Sequence, residues 1–252
     1  MDCGNGGPGS LISILMPTRR INGFWTAYRS IVETTVGPYE LYVAQNPDCL
    51  FQVPPEVNRI ISPEGPAARS HQMCELARGD VIFGGADDYI WRTHGWDQIL
   101  LEKAKQHPIG CFYFDDGSSP MNSRIPVVTR GFYEIAGYAQ PRFYHFYGDT
   151  WLTDIASKAG CLFPVLEVVI EHMHPKFGKA PRDEVYEMRG EPNKRLWEET
   201  AQEREEIAQR LKAAIENKNS IRGQWNGDQH LCRTPDGSIK LAGSIRPLGP
   251  GS

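Results

Sequence analysis

Short apolar runs alternate with longer amphipathic segments through the first half of the chain. Runs of this length, rich in β-branched residues and bounded by turn residues, predict strands, of which the first and the last are expected to be buried. They are LISILMP (11–17), YELYVAQ (39–45), NRIIS (58–62) and GDVIFGG (79–85). Apolar residues near helical spacing predict helices over 21–35 and 66–79, the second closed by Gly79. Strands that alternate with helices predict an α/β fold, with a parallel sheet covered on both faces.

In the second half of the chain, predicted strands and helices no longer alternate regularly. Strands are predicted at CFYFDD (111–116), IPVVTR (125–130) and CLFPVLEVVIEH (161–172), and a short helix over 148–160. From Pro192 to about Asn219, Glu, Lys, Arg, Gln and Ala surround an apolar stripe. This pattern predicts a long amphipathic helix that lies against the core or a partner. Turn signals at NGD and PDG, beyond Gly223, predict a small hairpin.

Together these elements predict two parts of the chain, a main domain over 11–190 and a helix-and-hairpin extension over 191–246. The Gly/Pro/Ser segments near both ends are interpreted as flexible tails or cloning remnants and are left out of the fold. The net charge of -4 gives no basic field for nonspecific nucleic-acid binding, although DNA or RNA stays open as a substrate.

The cysteines and the hydropathy of the chain indicate the cellular compartment in which the protein is expected. The six cysteines include no C-x-x-C pair, which argues against a zinc ribbon or a dense disulfide framework and favours a reducing cytoplasm. No run approaches 18 apolar residues, and the N-terminus lacks the regions of a signal peptide. We therefore expect a soluble cytoplasmic protein without a transmembrane anchor.

The most distinctive polar motif is GGADDY (84–89), which directly follows an apolar run. Two adjacent carboxylates after a buried strand require compensation, and Mg²⁺ or Mn²⁺ supplies it. By itself the motif is also compatible with a solvated turn, because Gly and Asp are common turn residues. His172 and His174 follow another predicted strand, and alternation would place both imidazoles on one side of it.

Four motifs stand in an order and rough spacing found in one enzyme group: ISILMPTRR, GGADDY, GDTWL and EHMHP. On these residues the chain resembles a family 2 nucleotide-sugar glycosyltransferase with the GT-A fold, of the small phage or bacterial type. The resemblance covers residues 11 to about 186. It implies a Rossmann-like, mixed but mainly parallel sheet flanked by helices, and a nucleotide-sugar donor, with UDP-sugars favoured.

The resemblance also implies donor contacts at the ends of the predicted strands. The family aspartate after the second strand is missing, because this chain has VAQNPD there, so Gln45 or Asn46 would contact the nucleotide. The implied donor-binding residues are Pro17, Thr18, Arg19, Gln45, Asn46, Arg69, Asp87 and Asp88.

The family's Asp-any-Asp metal motif falls on Gly85 and Asp87, so here it is shifted or incomplete. The resemblance implies that Asp87 binds Mn²⁺ or Mg²⁺ and that Asp88 joins it or hydrogen-bonds the sugar. His174 is the favoured histidine ligand, with His172 as the alternative. A cation at this place would stabilise the charge that develops on the departing diphosphate.

On the acceptor side, a second carboxylate must accept the proton of the attacking hydroxyl. The resemblance implies Asp149 in this role, in preference to Asp154. An aspartate at a helix start also fits a cap or an N-terminal charge. The predicted acceptor-binding residues are Trp91, Trp96, Tyr147 and Trp151, although Trp91 and Trp96 fit core packing at least as well. The aromatic stretch FYHFYGD (143–149) would shape the same pocket.

These expectations describe an inverting, metal-dependent glycosyltransferase. Two alternatives are a metal-dependent hydrolase, suggested by the H-x-H and acidic pairs, and a non-catalytic binding protein, suggested by Gly85 and Gln45. The expected acceptor is a saccharide or a modified DNA base, the latter if a phage encodes the protein and it acts in the host cytoplasm. The 192–219 helix would form a homodimer or cover the sheet.

Overall fold

A computed structural model of the protein describes residues 10–116, 125–138, 143, 147–180, 191–224, 231–233 and 239–241. The strands are β1 (Ile12–Thr18), β2 (Tyr39–Gln45), β3 (Asn58–Ile61), β4 (Val81–Gly84), β5 (Tyr89–Trp91), β6 (Cys111–Asp115), β7 (Val127–Thr129), β8 (Leu162–His172), β9 (Leu231–Arg233) and β10 (Ile239–Leu241). The helices are α1 (Ile21–Thr34), α2 (Pro66–Leu76), α3 (Trp96–Gln106), α4 (Arg130–Ala136), α5 (Gly148–Ala159), α6 (Glu191–Glu199) and α7 (Ala201–Gln224).

Eight strands form one sheet in the order β3-β2-β1-β4-β7-β6-β8-β5. β1 pairs in parallel with β2 and β4, and β2 with β3, while β7 is antiparallel to both of its neighbours. β6 and β8 are parallel, and β5 runs antiparallel along the end of β8. The sequence prediction of a mixed, mainly parallel α/β sheet of the Rossmann-like GT-A type is confirmed.

The core explains why these short runs become strands. Residues Ile12 to Met16 of β1 and Val81 to Phe83 of β4 are buried on both faces of the sheet, as expected for central parallel strands. Because neighbouring parallel strands end at the same edge, the loops after β1 and β4 come together there.

Several elements differ from the sequence predictions. The strand β5 and the helices α3 and α4 were not predicted. Helix α2 ends at Leu76, with Ala77 as its C-cap, rather than at Gly79. A Cβ on residue 79 would stand 2.5 Å from Ser13 Oγ, so this glycine allows the chain to pass close to β1.

The predicted long C-terminal helix is two helices, α6 and α7, separated by Thr200. The Thr200 hydroxyl donates to the Leu196 carbonyl oxygen (2.7 Å), a back-bond that often bends helices. Ile207 and Leu211, two members of the predicted apolar stripe, are buried within the chain. This part of the extension therefore lies against the protein's own core, which is one of the two predicted arrangements.

The chain divides into two compact units, residues 1–213 and 214–252. In the second unit β9 and β10 pair antiparallel, Leu231 opposite Leu241, which agrees with the predicted hairpin. The NGD and PDG turn residues lie outside the described part of the chain. Among the described residues, no helix is both long and apolar enough to cross a membrane.

Candidate functional site

The loop after β1 and the acidic loop after β4 are joined through Asp87. One carboxylate oxygen accepts hydrogen bonds from Thr18 Oγ1 (2.7 Å), Arg20 N (3.1 Å) and Arg19 N (3.2 Å). The other accepts from Arg20 Nε (3.0 Å) and Arg20 Nη2. Arg20 makes no side-chain cap at the start of α1, so Asp87 supplies the negative charge at this helix N-terminus from a neighbouring loop.

Two glycines make this junction possible. Gly23 of α1 lies so close to the acidic loop that a Cβ there would stand 2.4 Å from the Asp87 carbonyl oxygen. Gly85 donates its N–H to Leu15 O (2.7 Å), and a Cβ on residue 85 would stand 3.1 Å from the same oxygen. A side chain at residue 85 must therefore push against β1, which gives a physical reason for glycine where the family motif has aspartate.

Asp88 faces the other way, toward the end of β8. Its Oδ2 lies 3.1 Å from Arg20 Nη2 and 3.6 Å from His172 Nε2. Burial raises the pKa of Asp88, but the hydrogen bonds and charges of His172 and Arg20 outweigh it and hold the pKa at about 2. Asp88 is therefore ionised at neutral pH, in a nearly buried position with 12% of its side chain exposed.

His172 owes its place to strand pairing. It is the last residue of β8, and the register of β5 sets it opposite Tyr89, whose ring meets the imidazole edge to face at 4.9 Å. Its Nδ1 is buried and has no hydrogen-bond partner among the described residues. The Met173 N–H donates to Asp88 O (2.8 Å), which fastens the end of β8 to the acidic loop.

Strand alternation was expected to place His172 and His174 on one side of a strand. His174 lies beyond the end of β8, so alternation does not determine its position. β8 ends at His172, and the His174 N–H donates to the His172 carbonyl oxygen (2.8 Å), so the chain turns at this point. The two imidazoles still lie near each other, with ring centroids 5.0 Å apart. His172 reaches the acidic loop, with its Nε2 3.6 Å from Asp88 Oδ2.

Two residues of this cluster suit a divalent cation. Asp88 offers an ionised carboxylate and His172 an imidazole, whereas Asp87 already accepts five hydrogen bonds. No group of three or more His, Cys, Asp or Glu side chains in the described part of the chain could hold a metal by itself. Mg²⁺ and Mn²⁺ sites often take one or two protein ligands and complete their shell with substrate phosphates and water, which fits this pair.

The predicted nucleotide-binding residues lie at the same sheet edge. Thr18 and Gln45 are opposite each other in the register of β1 and β2, and both are buried. The Gln45 amide donates to Phe51 O (3.0 Å), which leaves its Oε1 without a partner among the described residues. Asn46 caps the short turn Pro47–Cys49, and its Oδ1 accepts from Asp48 N (3.0 Å).

Arg69 and Pro17 complete this group. Arg69 is buried under the loops, with Nη1 3.4 Å from the carbonyl oxygens of both Thr18 and Ala44, and it donates through Nε to Glu64 O (2.8 Å). It therefore ties the ends of β1 and β2 together. Pro17 is half-buried in β1, one residue before Thr18.

Asp149 lies in the first turn of α5, where Oδ1 accepts from Thr150 N (2.8 Å). Tyr138 lies at the sheet edge, next to the end of β4. The Tyr138 hydroxyl donates to Pro126 O (3.0 Å), and a Cβ on Gly84 would overlap it. Burial raises the pKa of Tyr138 well above its ordinary value, and the negative charge of Asp149 is among the further causes.

The predicted acceptor aromatics separate into two groups. Trp91, Trp96 and Trp151 are almost completely buried in the core, and Trp91 and Trp96 pack around Phe83. Tyr147, which precedes α5, is half-buried. In the aromatic stretch 143–149, residues 144–146 lie outside the described part of the chain.

Two residues of the site were not predicted. Arg20 binds both aspartates, and its position directly after the PTR motif, at the start of a predicted helix, was an available signal. Tyr138 had no signal in the sequence, because its proximity to Gly84 depends on the pairing of β4 with β7.

Comparison with solved structures finds S. aureus TarS, a family 2 glycosyltransferase with a GT-A-like fold. The match has a TM-score of 0.50 and 11% identity, and covers 63% of this chain and 36% of that one. The structure of TarS 1-349 matches with a TM-score of 0.49 and 11% identity, over 63% and 59% of the two chains. The chain thus spans less than two thirds of either, and the first likeness shows the fold alone. No protein-family model and no curated protein matches.

Proposed function

We propose that the protein is an inverting glycosyltransferase, which moves a sugar from a nucleoside diphosphate sugar to an acceptor hydroxyl. The observation that supports it best is the cluster of Asp88, Arg20 and His172 at the carboxyl ends of β1 and β4. Ligands of open α/β sheets bind at this edge, and the GT-A-like fold is consistent with a nucleotide donor there.

The donor diphosphate would lie against Asp88 and His172. These two residues would hold Mn²⁺ or Mg²⁺, and the bound cation would offset the charge that develops on the diphosphate. Thr18, Arg19 and Gln45 would border the nucleoside, with Arg69 fixing the strand ends below them. UDP-sugars are the first donors to test, because the family resemblance favours them.

Asp149 would act as the general base. It accepts the proton of the acceptor hydroxyl while the hydroxyl oxygen forms a bond to the anomeric carbon. The bond between that carbon and the diphosphate oxygen breaks in the same step, so the nucleoside diphosphate leaves and the configuration inverts. The half-buried Tyr147 next to this carboxylate is the predicted residue best placed to contact an acceptor.

The test is mass spectrometry of products after incubation with a panel of nucleotide sugars, with saccharides and hydroxymethylated DNA as acceptors. We expect a glycosylated acceptor and a nucleoside diphosphate in equal amounts, lost in Asp149→Asn and Asp88→Asn. Glu33→Gln, at an exposed position of α1, is the control carboxylate. Free sugar without an acceptor product would instead identify a hydrolase.

Calorimetry separates the third possibility, a binding protein without turnover. We expect UDP-sugars to bind with Mn²⁺ and to bind more weakly after chelation. Donor binding without any product across the panel would support the binding protein, and absence of nucleotide binding under both conditions would contradict the glycosyltransferase proposal.

A further inference from the structure

The residue before α5 has an unusual backbone. Tyr147 has φ of 75° and ψ of -1°, and it is the one non-glycine residue with positive φ in the described part of the chain. A tyrosine in this left-handed region is disfavoured because its Cβ crowds the backbone. Such a conformation persists where the surroundings enforce it, often beside functional residues. Here Asp149 follows two residues later.

A series of stacked side chains surrounds Tyr147. Its ring stacks on Phe143 on the main domain, with centroids 6.0 Å apart and planes inclined by 28°. It also stacks on Trp197 of α6, at 5.5 Å and 27°. Trp197 in turn lies under the guanidinium of Arg204, with Cζ 3.5 Å from the ring centroid. Phe143, Tyr147, Trp197 and Arg204 thus form one continuous stack, which we term the aromatic clamp.

Arg204, a residue of α7, connects the aromatic clamp to α5 and to the end of α6. It is almost fully buried, and its Nε donates to Asp154 Oδ2 of α5 (2.8 Å). Its Nη1 donates to Trp197 O (2.7 Å) and Thr200 Oγ1 (3.0 Å), where α6 gives way to α7. A planar guanidinium can stack and donate in its own plane at once, which an ammonium cannot do.

These contacts connect the extension to the proposed base. We propose that Trp197 and Arg204 are positioning residues, which hold Tyr147 in its left-handed conformation and thereby set the place of Asp149. The inference rests on the proposed role of Asp149 in transfer. Both residues lie beyond residue 186, so the family resemblance does not include them.

The first test replaces the clamp residues and follows transfer with the donor and acceptor found by the product panel. Trp197→Ala is expected to lower kcat about 10- to 100-fold, because a misplaced base loses most of its effect. The affinity for UDP with Mn²⁺, measured by calorimetry, should stay within about twofold of wild type, because the clamp does not touch the donor side. Lys194→Ala, at an exposed position of α6, is the matched control.

The second test asks whether backbone conformation is the link. Glycine adopts positive φ without a Cβ penalty. Tyr147→Gly introduced into Trp197→Ala should therefore recover part of the lost kcat at saturating acceptor, although loss of the tyrosine ring should raise the KM for the acceptor. Crystal structures should show residue 147 with negative φ in Trp197→Ala and with positive φ in the double variant.

The outcomes separate the two proposals. A Trp197→Ala protein with wild-type kcat, or one in which Tyr147 keeps positive φ, overturns the clamp. Wild-type transfer by Asp149→Asn overturns the role of the base instead, and the φ measurement still decides the clamp. If Trp197→Ala does not fold, Arg204→Lys replaces it, because it keeps the positive charge beside Asp154 and loses the planar stack. An unchanged kcat in that variant contradicts the inference.

Discussion

The proposed donor side and the proposed acceptor side of the candidate site are held in place by different contacts. On the donor side, Asp87 and Asp88 are fixed by Arg20 and by strand β8, and glycines let the backbones approach closely. On the acceptor side, Asp149 lies in the first turn of α5, a helix that begins directly after the left-handed Tyr147, which stacks on Trp197 of the extension.

This difference indicates which parts of the site can vary independently. The donor side is built from strands at the centre of the sheet, so its geometry follows from the fold itself. The acceptor side depends on a segment outside the family resemblance. Changes in the extension should then alter transfer without altering donor binding, and changes at β1 and β4 should affect both.

The largest expected effect separates the two neighbouring aspartates. Asp88→Asn should reduce transfer by about 100-fold or more, because it removes the carboxylate charge proposed to hold the cation that offsets the diphosphate charge. Asp88→Asn should lower the free energy of unfolding by less than Asp87→Asn does, because Arg20 still pairs with Asp87 in the Asp88→Asn variant. Asp87→Asn should lower the free energy of unfolding by about 2–3 kcal/mol, because an amide cannot accept all of the loop's hydrogen bonds.

Urea denaturation and the transfer assay, run on both variants, measure these effects. The opposite pattern, with Asp87→Asn inactive but fully stable and Asp88→Asn active, would return the metal-ligand role to Asp87. It would also mean that the hydrogen bonds of Asp87 rearrange when the donor binds.

The next effect tests whether the extension belongs to the folded domain. Leu211 is completely buried, and Leu211→Ala should lower the free energy of unfolding by about 2–4 kcal/mol. Lys212→Ala, at the exposed neighbour, should change it by less than about 0.5 kcal/mol. The affinity for UDP with Mn²⁺ should be unchanged in folded Leu211→Ala protein. A dimer that dissociates in Leu211→Ala, seen by analytical ultracentrifugation, would show that the residue belongs to the predicted homodimer contact instead.

The sequence predicts the donor side of the candidate site better than the acceptor side. All strands of the main sheet except β5, together with α1 and α5, were predicted within a few residues, because apolar periodicity and turn residues are local signals. The junction of the β1 and β4 loops was also predicted, because parallel neighbours end at one edge. The different surroundings of Asp87 and Asp88 were not predicted, because they depend on which carboxylate Arg20 and Thr18 reach across the fold.

The acceptor side was harder to predict for the same physical reason. A tryptophan in an amphipathic helix gives no sign in sequence of the ring on which it stacks, and Trp197 meets Tyr147 through tertiary packing alone. The break at Thr200 was also missed, because helical periodicity continues through it. The sequence is compatible with either core packing or acceptor binding for Trp91 and Trp96. In the structure both side chains are buried in the core.

A smaller effect tests the close approach on the donor side. Gly23→Ala should lower the free energy of unfolding by about 1–3 kcal/mol, because its Cβ would overlap the Asp87 carbonyl oxygen and the backbone must shift. The control is Asn22→Ala, an exposed position on the same helix, which should be neutral or slightly stabilising. Thermal unfolding of the two variants measures the difference. A Gly23→Ala protein as stable as Asn22→Ala would mean that α1 and the acidic loop are not held in contact.

The smallest expected effect concerns Glu40, near the start of β2, at the opposite end of the strands from Asp87 and Asp88. Glu40 accepts hydrogen bonds from Ser13 Oγ (2.6 Å) and from Arg78 N (2.6 Å) and Nε (3.1 Å). Burial raises the pKa of Glu40, but these bonds outweigh it and the pKa is lowered. A lowered pKa in the folded state stabilises the protein above the unfolded pKa of about 4.3, and this stabilisation is lost as pH falls through the folded pKa.

Glu40→Gln should therefore be less stable than wild type at pH 7, by about 1 kcal/mol, and the difference should shrink as the pH falls below about 4. Urea denaturation between pH 7 and pH 3 measures it, with Glu33→Gln at an exposed position of α1 as the control. Donor affinity and transfer rate should not change, because Glu40 lies at the far edge of the sheet from Asp88. A loss of donor affinity at full stability would show that the two ends of the strands are coupled, which would contradict a donor side fixed by local contacts.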